Sequence, residues 1–326
     1  MFPGFHMDIK KVLLLGGSGF VGTYIVNRLS QRGILVTVPT RRRERTKALI
    51  MQPGVEMPET NIHCEQTLTA LMRGHDAVIN LVGILHSSDV QFPYSGDFAR
   101  AHVELPKKVV AACKAAGVRR LVHMSALHAD PKGPSEYLAS KGDGEAVVMA
   151  AGKELDVTVF RPSVIFGLGD SFLSMFASVL KKLPFFPLGF GQARFQPVWV
   201  ADVADAFVDS LGNEASFGQA YDLTGPKVYT LRELVDYTAE LCGSQATVIP
   251  LPEGLAYLQA GLMWLAPQPL MSPDNLRSMQ VDSVADASSK APANWKPTAL
   301  EAIAPTYIAL KTPKGKLDSF RYRAGR

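Results

Sequence analysis

The run Val12-Leu13-Leu14-Leu15 passes directly into Gly16-Gly17-Ser18-Gly19-Phe20-Val21-Gly22. Few folds accommodate a buried strand that turns at once, on glycines, into a helix. Gly16, Gly19 and Gly22 let the chain turn tightly and let its backbone approach a phosphate. The exposed N–H groups and positive end of the helix then favour that anion. With a strand before it and a helix over about Gly22–Gln31 after it, the turn has the context of a dinucleotide pyrophosphate site.

The same alternation continues for two-thirds of the chain, as a parallel sheet covered on both faces requires. Strands are predicted at Lys11–Leu15, Leu35–Pro39, Ala77–Val82, Arg120–Ser125 and Val157–Arg161. A helix is predicted over Pro106–Ala116, with proline near its start and Gly117 just past its end. Another is predicted from about Pro134 to Ala151. After Arg161 prolines and aromatics cluster, with Phe185, Phe186, Phe190, Phe195 and Trp199 as either a ligand lining or the core of a small domain. Thr230-Leu231-Arg232-Glu233 has the form of a capping box, and Asp202 and Asp205 are expected to cap the helix they begin. The fold class expected is α/β, a Rossmann-type doubly wound sheet with a smaller interleaved C-terminal domain. Residues 8–168, completed by about 195–228, would form the nucleotide domain. Residues 169–194 and 229–305 would form the smaller one, and 306–326 a basic tail.

Two further groups carry chemistry. The second strand ends not on an acid, which would grip ribose hydroxyls, but on Thr40 followed by Arg41-Arg42-Arg43. Guanidiniums suit a 2′-phosphate, so NADP(H) is preferred as cofactor and NAD(H) stays open. Tyr137 and Lys141, four apart, share one helix face, and Ser125 closes the neighbouring strand. A lysine there would stabilise a phenolate and lower the tyrosine's pKa, while the serine holds a substrate oxygen beside it. Catalytic roles are therefore expected for Ser125, Tyr137 and Lys141.

Composition narrows the rest. A net charge of +4 gives no case for nucleic acid, and the three cysteines, Cys64, Cys113 and Cys242, have no metal-ligand spacing. The histidines likewise lack ligand partners in sequence, so no metal is expected. The N-terminal stretch has no signal-peptide core, and a cytoplasmic location is expected. The stretch Gly254–Met271 carries no charge but is interrupted by Gly261, Pro267 and Pro269. It reads either as a helix packed in the small domain or as a surface docking peripherally on a membrane or a protein complex.

At these residues the chain resembles the short-chain dehydrogenase/reductase superfamily in its extended, epimerase/dehydratase-like form. Asn80-Leu81-Val82-Gly83 and Arg161-Pro162-Ser163-Val164-Ile165-Phe166-Gly167 fall where that family's motifs fall. Within it, Gly19–Val26, Val122–Leu127, Arg194–Val200 and Val228–Leu234 are most similar to the branch of the complex I nucleotide-binding accessory subunit and its bacterial relatives. The resemblance implies that Gly16, Ser18, Gly19, Phe20 and Val21 line the diphosphate, and that Arg41 and Arg42 meet the adenosine end. It implies that Leu81, Val82 and Gly83 pass beside the cofactor, with Lys141, Pro162, Ser163 and Val164 flanking the nicotinamide. His102 stands where extended members usually carry a helix asparagine, and the third-strand region near Asn61–Glu65 is shortened and lacks their aspartate. Two functions follow: a Tyr/Lys/Ser enzyme acting on an unidentified apolar or ring-bearing small molecule, or a non-catalytic NADP(H)-binding assembly or sensor protein.

Overall fold

The computed structural model describes residues 8–87, 93–264 and 271–309. Most of the basic tail and the end of the charge-free stretch lie outside them. Along the chain run β1 (Lys11–Leu15), α1 (Phe20–Gln31), β2 (Leu35–Thr37), β3 (Val55–Glu56), α2 (Glu65–Met72) and β4 (Ala77–Asn80). Then come α3 (Leu105–Ala116), β5 (Arg120–Met124), α4 (Glu136–Ala150), β6 (Asp156–Pro162) and α5 (Leu173–Leu180). They are followed by β7 (Phe185–Leu188), α6 (Val200–Ser210), β8 (Gln219–Leu223), α7 (Leu231–Cys242), β9 (Thr247–Pro250), α8 (Glu253–Trp264) and α9 (Leu300–Ile308).

Two compact units divide these elements. The first takes the chain up to Pro162, Ala201–Leu223 and Ser288–Asn294; the second takes Ser163–Val200, Thr224–Ala287 and the chain from Trp295. In the first unit seven parallel strands lie in the order β8-β6-β5-β4-β1-β2-β3. Side chains alternate across the pleat. Val157 and Val159 face one layer with Leu68 and Met72 of α2, Val109 of α3 and Val148 of α4. Phe160 faces the other, 4.6 Å from Phe207 of α6. Asp205 does not cap α6; its carboxylate takes two hydrogen bonds from Arg28 of α1, at 2.6 and 3.2 Å.

Boundaries move for local reasons. β4 stops at Asn80 because that side chain accepts the N–H of Val82 at 3.1 Å. The third strand is Val55–Glu56, ahead of the Asn61–Glu65 region expected to hold it, which instead leads into α2. At the far edge, Asp222 of β8 donates its N–H to the Lys290 carbonyl at 2.8 Å, and the Lys290 ammonium lies 5.6 Å over the Tyr221 ring. Segment 288–294 thus occupies one side of β8.

In the second unit α5, α7 and α9 pack with β7 and β9 around Phe176, Leu180, Phe186, Leu234 and Ile308. Phe195 and Trp199 pack against that core and Phe190 against a smaller cluster, so most of the aromatic run serves packing. Thr230 caps α7 through the reciprocal pair with Glu233.

Candidate active site

Strand order reverses between β1 and β4, and in open parallel sheets ligands bind outside the carboxyl ends at such a point. The glycine turn leaves β1 there. Gly16 has φ +81°, and a Cβ on it would sit 3.3 Å from Leu81 and the Val82 nitrogen. Gly22 is tighter still: a Cβ would meet the Gly16 carbonyl oxygen and the Gly17 Cα at 2.5 Å. Glycine is required at both positions, at Gly16 for backbone freedom and at Gly22 for packing of the helix on its own turn. Gly19, the N-cap of α1, supplies no capping side chain and the first turn has no acid, so the positive end of the helix is left for an anion. Arg41 and Arg42 are exposed beyond β2 in a turn where Thr40 Oγ1 accepts the Arg42 N–H at 3.3 Å.

Gly83, His102, Lys141 and the strand end that carries Ser125 lie together within the first unit. A Cβ on Gly83 would lie 3.4 Å from His102 Nε2 and 3.8 Å from Lys141 Nζ. Lys141 is buried and donates to the Met124 carbonyl at 2.6 Å; burial pulls its ammonium down to about 8. Ser125 follows on the same strand end, its N–H bonded to the Phe160 carbonyl at 2.7 Å. Its hydroxyl is buried and has no hydrogen-bond partner among the described residues. Pro162 accepts the Leu127 N–H at 3.0 Å. In the second unit the Ser163 hydroxyl bonds to Ser283, and the Val164 carbonyl accepts the Val198 N–H at 3.0 Å.

Tyr137 departs from expectation in one respect. Burial pushes its phenol up to about 12, and the Lys141 ammonium is directed to Met124. The ring is held edge-on to His102 (5.7 Å) and Phe98 (6.4 Å).

Sequence reasoning missed what positions this helix. Residues Ala99–Glu104 form a π-helical turn, a device common at functional sites. His102 within it accepts the Ile84 N–H on Nε2 at 3.0 Å, which leaves the proton on Nδ1 to donate to Ser140 Oγ at 2.8 Å. Ser140 in turn donates to the Tyr137 carbonyl at 3.0 Å. Burial lowers the His102 pKa to about 2, so the ring is neutral, a tie between the Gly83 loop and α4. Gly144 lets the two backbones meet, since a Cβ there would lie 1.8 Å from the His102 carbonyl oxygen. His123 is similarly tied, its Nδ1 accepting from Asn80 at 3.2 Å. The signal available in sequence was His102 at the asparagine position.

With this geometry in hand, the match to known proteins is direct. Residues 12–223 match the NAD dependent epimerase/dehydratase family, and the chain belongs to it. It is 31% identical over 281 residues to NADH dehydrogenase [ubiquinone] 1 alpha subcomplex subunit 9, mitochondrial, of Arabidopsis thaliana, covering 83% of this chain and 68% of that protein. A ceramide reductase of Caulobacter vibrioides is 25% identical over 242 residues, 74% of each chain. In fold it is similar to the dTDP-glucose 4,6-dehydratase DesIV of Streptomyces venezuelae, solved with NAD and TYD bound. That likeness has a TM-score of 0.64 at 22% identity and covers 75% of this chain and 85% of that one.

Proposed function

We propose that this chain is a nicotinamide-dependent enzyme, an oxidoreductase or epimerase/dehydratase-like catalyst, in which Ser125, Tyr137 and Lys141 handle the proton. The observation that carries the reading is the Ser125 hydroxyl, buried without a partner among the described residues, one residue beyond the carbonyl that holds Lys141. An unmade buried hydrogen bond costs about 1–3 kcal/mol, and a substrate oxygen at that spot would recover it. The glycine turn, with no room for a Cβ at Gly22, fits a diphosphate, and Gly16, Ser18, Gly19, Phe20 and Val21 would hold it. Leu81 to Gly83, Lys141 and Pro162 would border the nicotinamide. A bound nicotinamide supplies the hydride acceptor or donor. Tyr137 exchanges a proton with the substrate oxygen that Ser125 orients, and the buried Lys141 charge favours the phenolate when it forms. Exposed Arg41 and Arg42 support NADP(H) over NAD(H). Because Phe186, Phe195 and Trp199 belong to core packing, they give no support to an apolar or ring-bearing substrate, and the reading specifies only a carbonyl or hydroxyl as reacting group.

The test follows NADPH absorbance with purified protein and panels of carbonyls and quinones. Turnover should fall by about 10²–10⁴ in Tyr137→Phe; turnover that survives unchanged refutes the assignment. Arg41→Ala and Arg42→Ala should weaken NADPH more than NADH, and indifference to both refutes the 2′-phosphate argument.

A second reading, a cytoplasmic or membrane-peripheral NADP(H)-binding assembly protein, is favoured by the similarity to the complex I subunit and by the high Tyr137 pKa. Stoichiometric retained nucleotide with no turnover on any panel would select it.

A further inference from the structure

The second unit presents apolar side chains outward on two adjoining elements. On α8, Leu255, Leu258 and Leu262 fall within an arc of roughly 60°, while Ala256 and Ala260 lie roughly 150° away. The alanines are the buried face, against Leu276, and Leu258 and Leu262 are 60% and 64% exposed. A helix in a water-soluble fold ordinarily turns its large apolar residues inward; here the small ones face in and the leucines face out. The helix is fixed in that orientation. Ala256 packs against Gly189, where an added Cβ would lie 2.3 Å from it, and Tyr257 meets the Phe190 ring edge-on at 5.9 Å.

α8 starts where the β7–β9 pair ends, Leu251 donating its N–H to the Leu188 carbonyl at 2.9 Å. In that pair Phe186, Leu188 and Val248 point to the core. Their neighbours Phe185, 57% exposed, and Ile249 point the other way, and Leu183 just before them is exposed too. Lys181 and Lys182 precede Leu183 directly, and both are exposed. From Ser171 to Ala201 the sequence has cations but no acid, and Gly254–Met271 has no charge at all.

We infer that this face of the second unit seats on the surface of an anionic lipid bilayer. Leu258 and Leu262, with Phe185 and Leu183, would enter the headgroup–acyl boundary, and Lys181 and Lys182 would meet lipid phosphates. Separate outward leucines together with exposed lysines and no acid in these segments suit a deformable, negatively charged apolar surface. A protein partner would need pockets to receive each leucine.

The test is flotation of the full chain with vesicles of phosphatidylcholine alone and of phosphatidylcholine mixed with phosphatidylglycerol. The wild type is expected to float with the mixed vesicles and less with the neutral ones, more weakly as salt rises. Leu258→Glu with Leu262→Glu should lower partitioning at least about tenfold, and Lys181→Glu with Lys182→Glu should remove the preference for anionic lipid. Circular dichroism should show all variants folded, since none of these side chains is in the core. Absence of flotation by the folded wild type overturns the inference, as does unchanged partitioning of the leucine variant. So does a concentration-dependent dimer, lost in that variant, without vesicle binding: the stripe would then be an interface between copies.

Discussion

The two ends of β5 treat buried polar groups in opposite ways. At its start Arg120 is 0% exposed, yet its guanidinium donates to the Leu211, Asp156 and Ser210 carbonyls at 3.1, 2.6 and 2.8 Å and to Thr158 Oγ1 at 2.9 Å. It also lies 4.6 Å from the Phe217 ring centre. At the other end, Ser125 is 2% exposed and its hydroxyl has no partner among the described residues, while Lys141 donates to the Met124 carbonyl. A buried polar group that is fully partnered belongs to the structure. One left open at the carboxyl end of a parallel sheet is a place where a ligand is expected.

The largest test of that contrast is Arg120→Met. It removes a buried donor from three carbonyls and a hydroxyl, of which Ser210 and Thr158 keep bonds to Asn213 and Ser216, so unfolding in urea should show a loss of about 3 kcal/mol. Nucleotide affinity per folded molecule should be unchanged; a fall in affinity would mean that the two ends are not independent.

Lys141→Met should act in the other direction. The lysine titrates near 8 in the folded chain against 10.5 unfolded, so between those values the unfolded state binds more protons and stability climbs as pH rises. Below pH 8 the penalty is present in full, about 3 kcal/mol for this buried group. Removing the ammonium, and losing about 1 kcal/mol for the Met124 bond, should stabilise the protein by about 2 kcal/mol at pH 7. The climb between pH 8 and 10 should flatten. A destabilised Lys141→Met with the climb intact would show that the ammonium is already compensated.

Smallest in stability is Ser125→Ala, expected to lie within about 1 kcal/mol of the wild type or slightly above it, because it deletes an unpaired hydroxyl. Turnover should nonetheless drop. Clear destabilisation would show that the hydroxyl has a structural partner.

These ends were not equally legible in sequence. The glycine turn, Ser125 and the Tyr137–Lys141 spacing are local patterns, and around them short apolar runs, the mark of strands buried on both faces, alternate with helices of 3.6-residue period. Arg120, by contrast, reads as one more charge in Arg119-Arg120 at a strand entrance. Its partners at Ser210 and Leu211 arrive some ninety residues later, and no local window contains them. The two-residue β3 is too short to show a period, and the π turn at Ala99–Glu104 differs from a helix by one residue in its hydrogen bonding. The lowered tyrosine pKa was a pairwise argument, and burial, a property of the whole fold, outweighs it in this structure.

The pairing of Asp222 with Lys290 has a consequence for synthesis. β8 emerges complete at Leu223, but the residues that lie along its outer side follow about 70 positions later. At roughly 5–20 residues per second, the ribosome leaves that edge open for roughly 3–14 seconds. A nascent chain in that interval carries an unpaired strand edge of the kind that recruits neighbours. Slow codons between Leu223 and Lys290 would lengthen that interval.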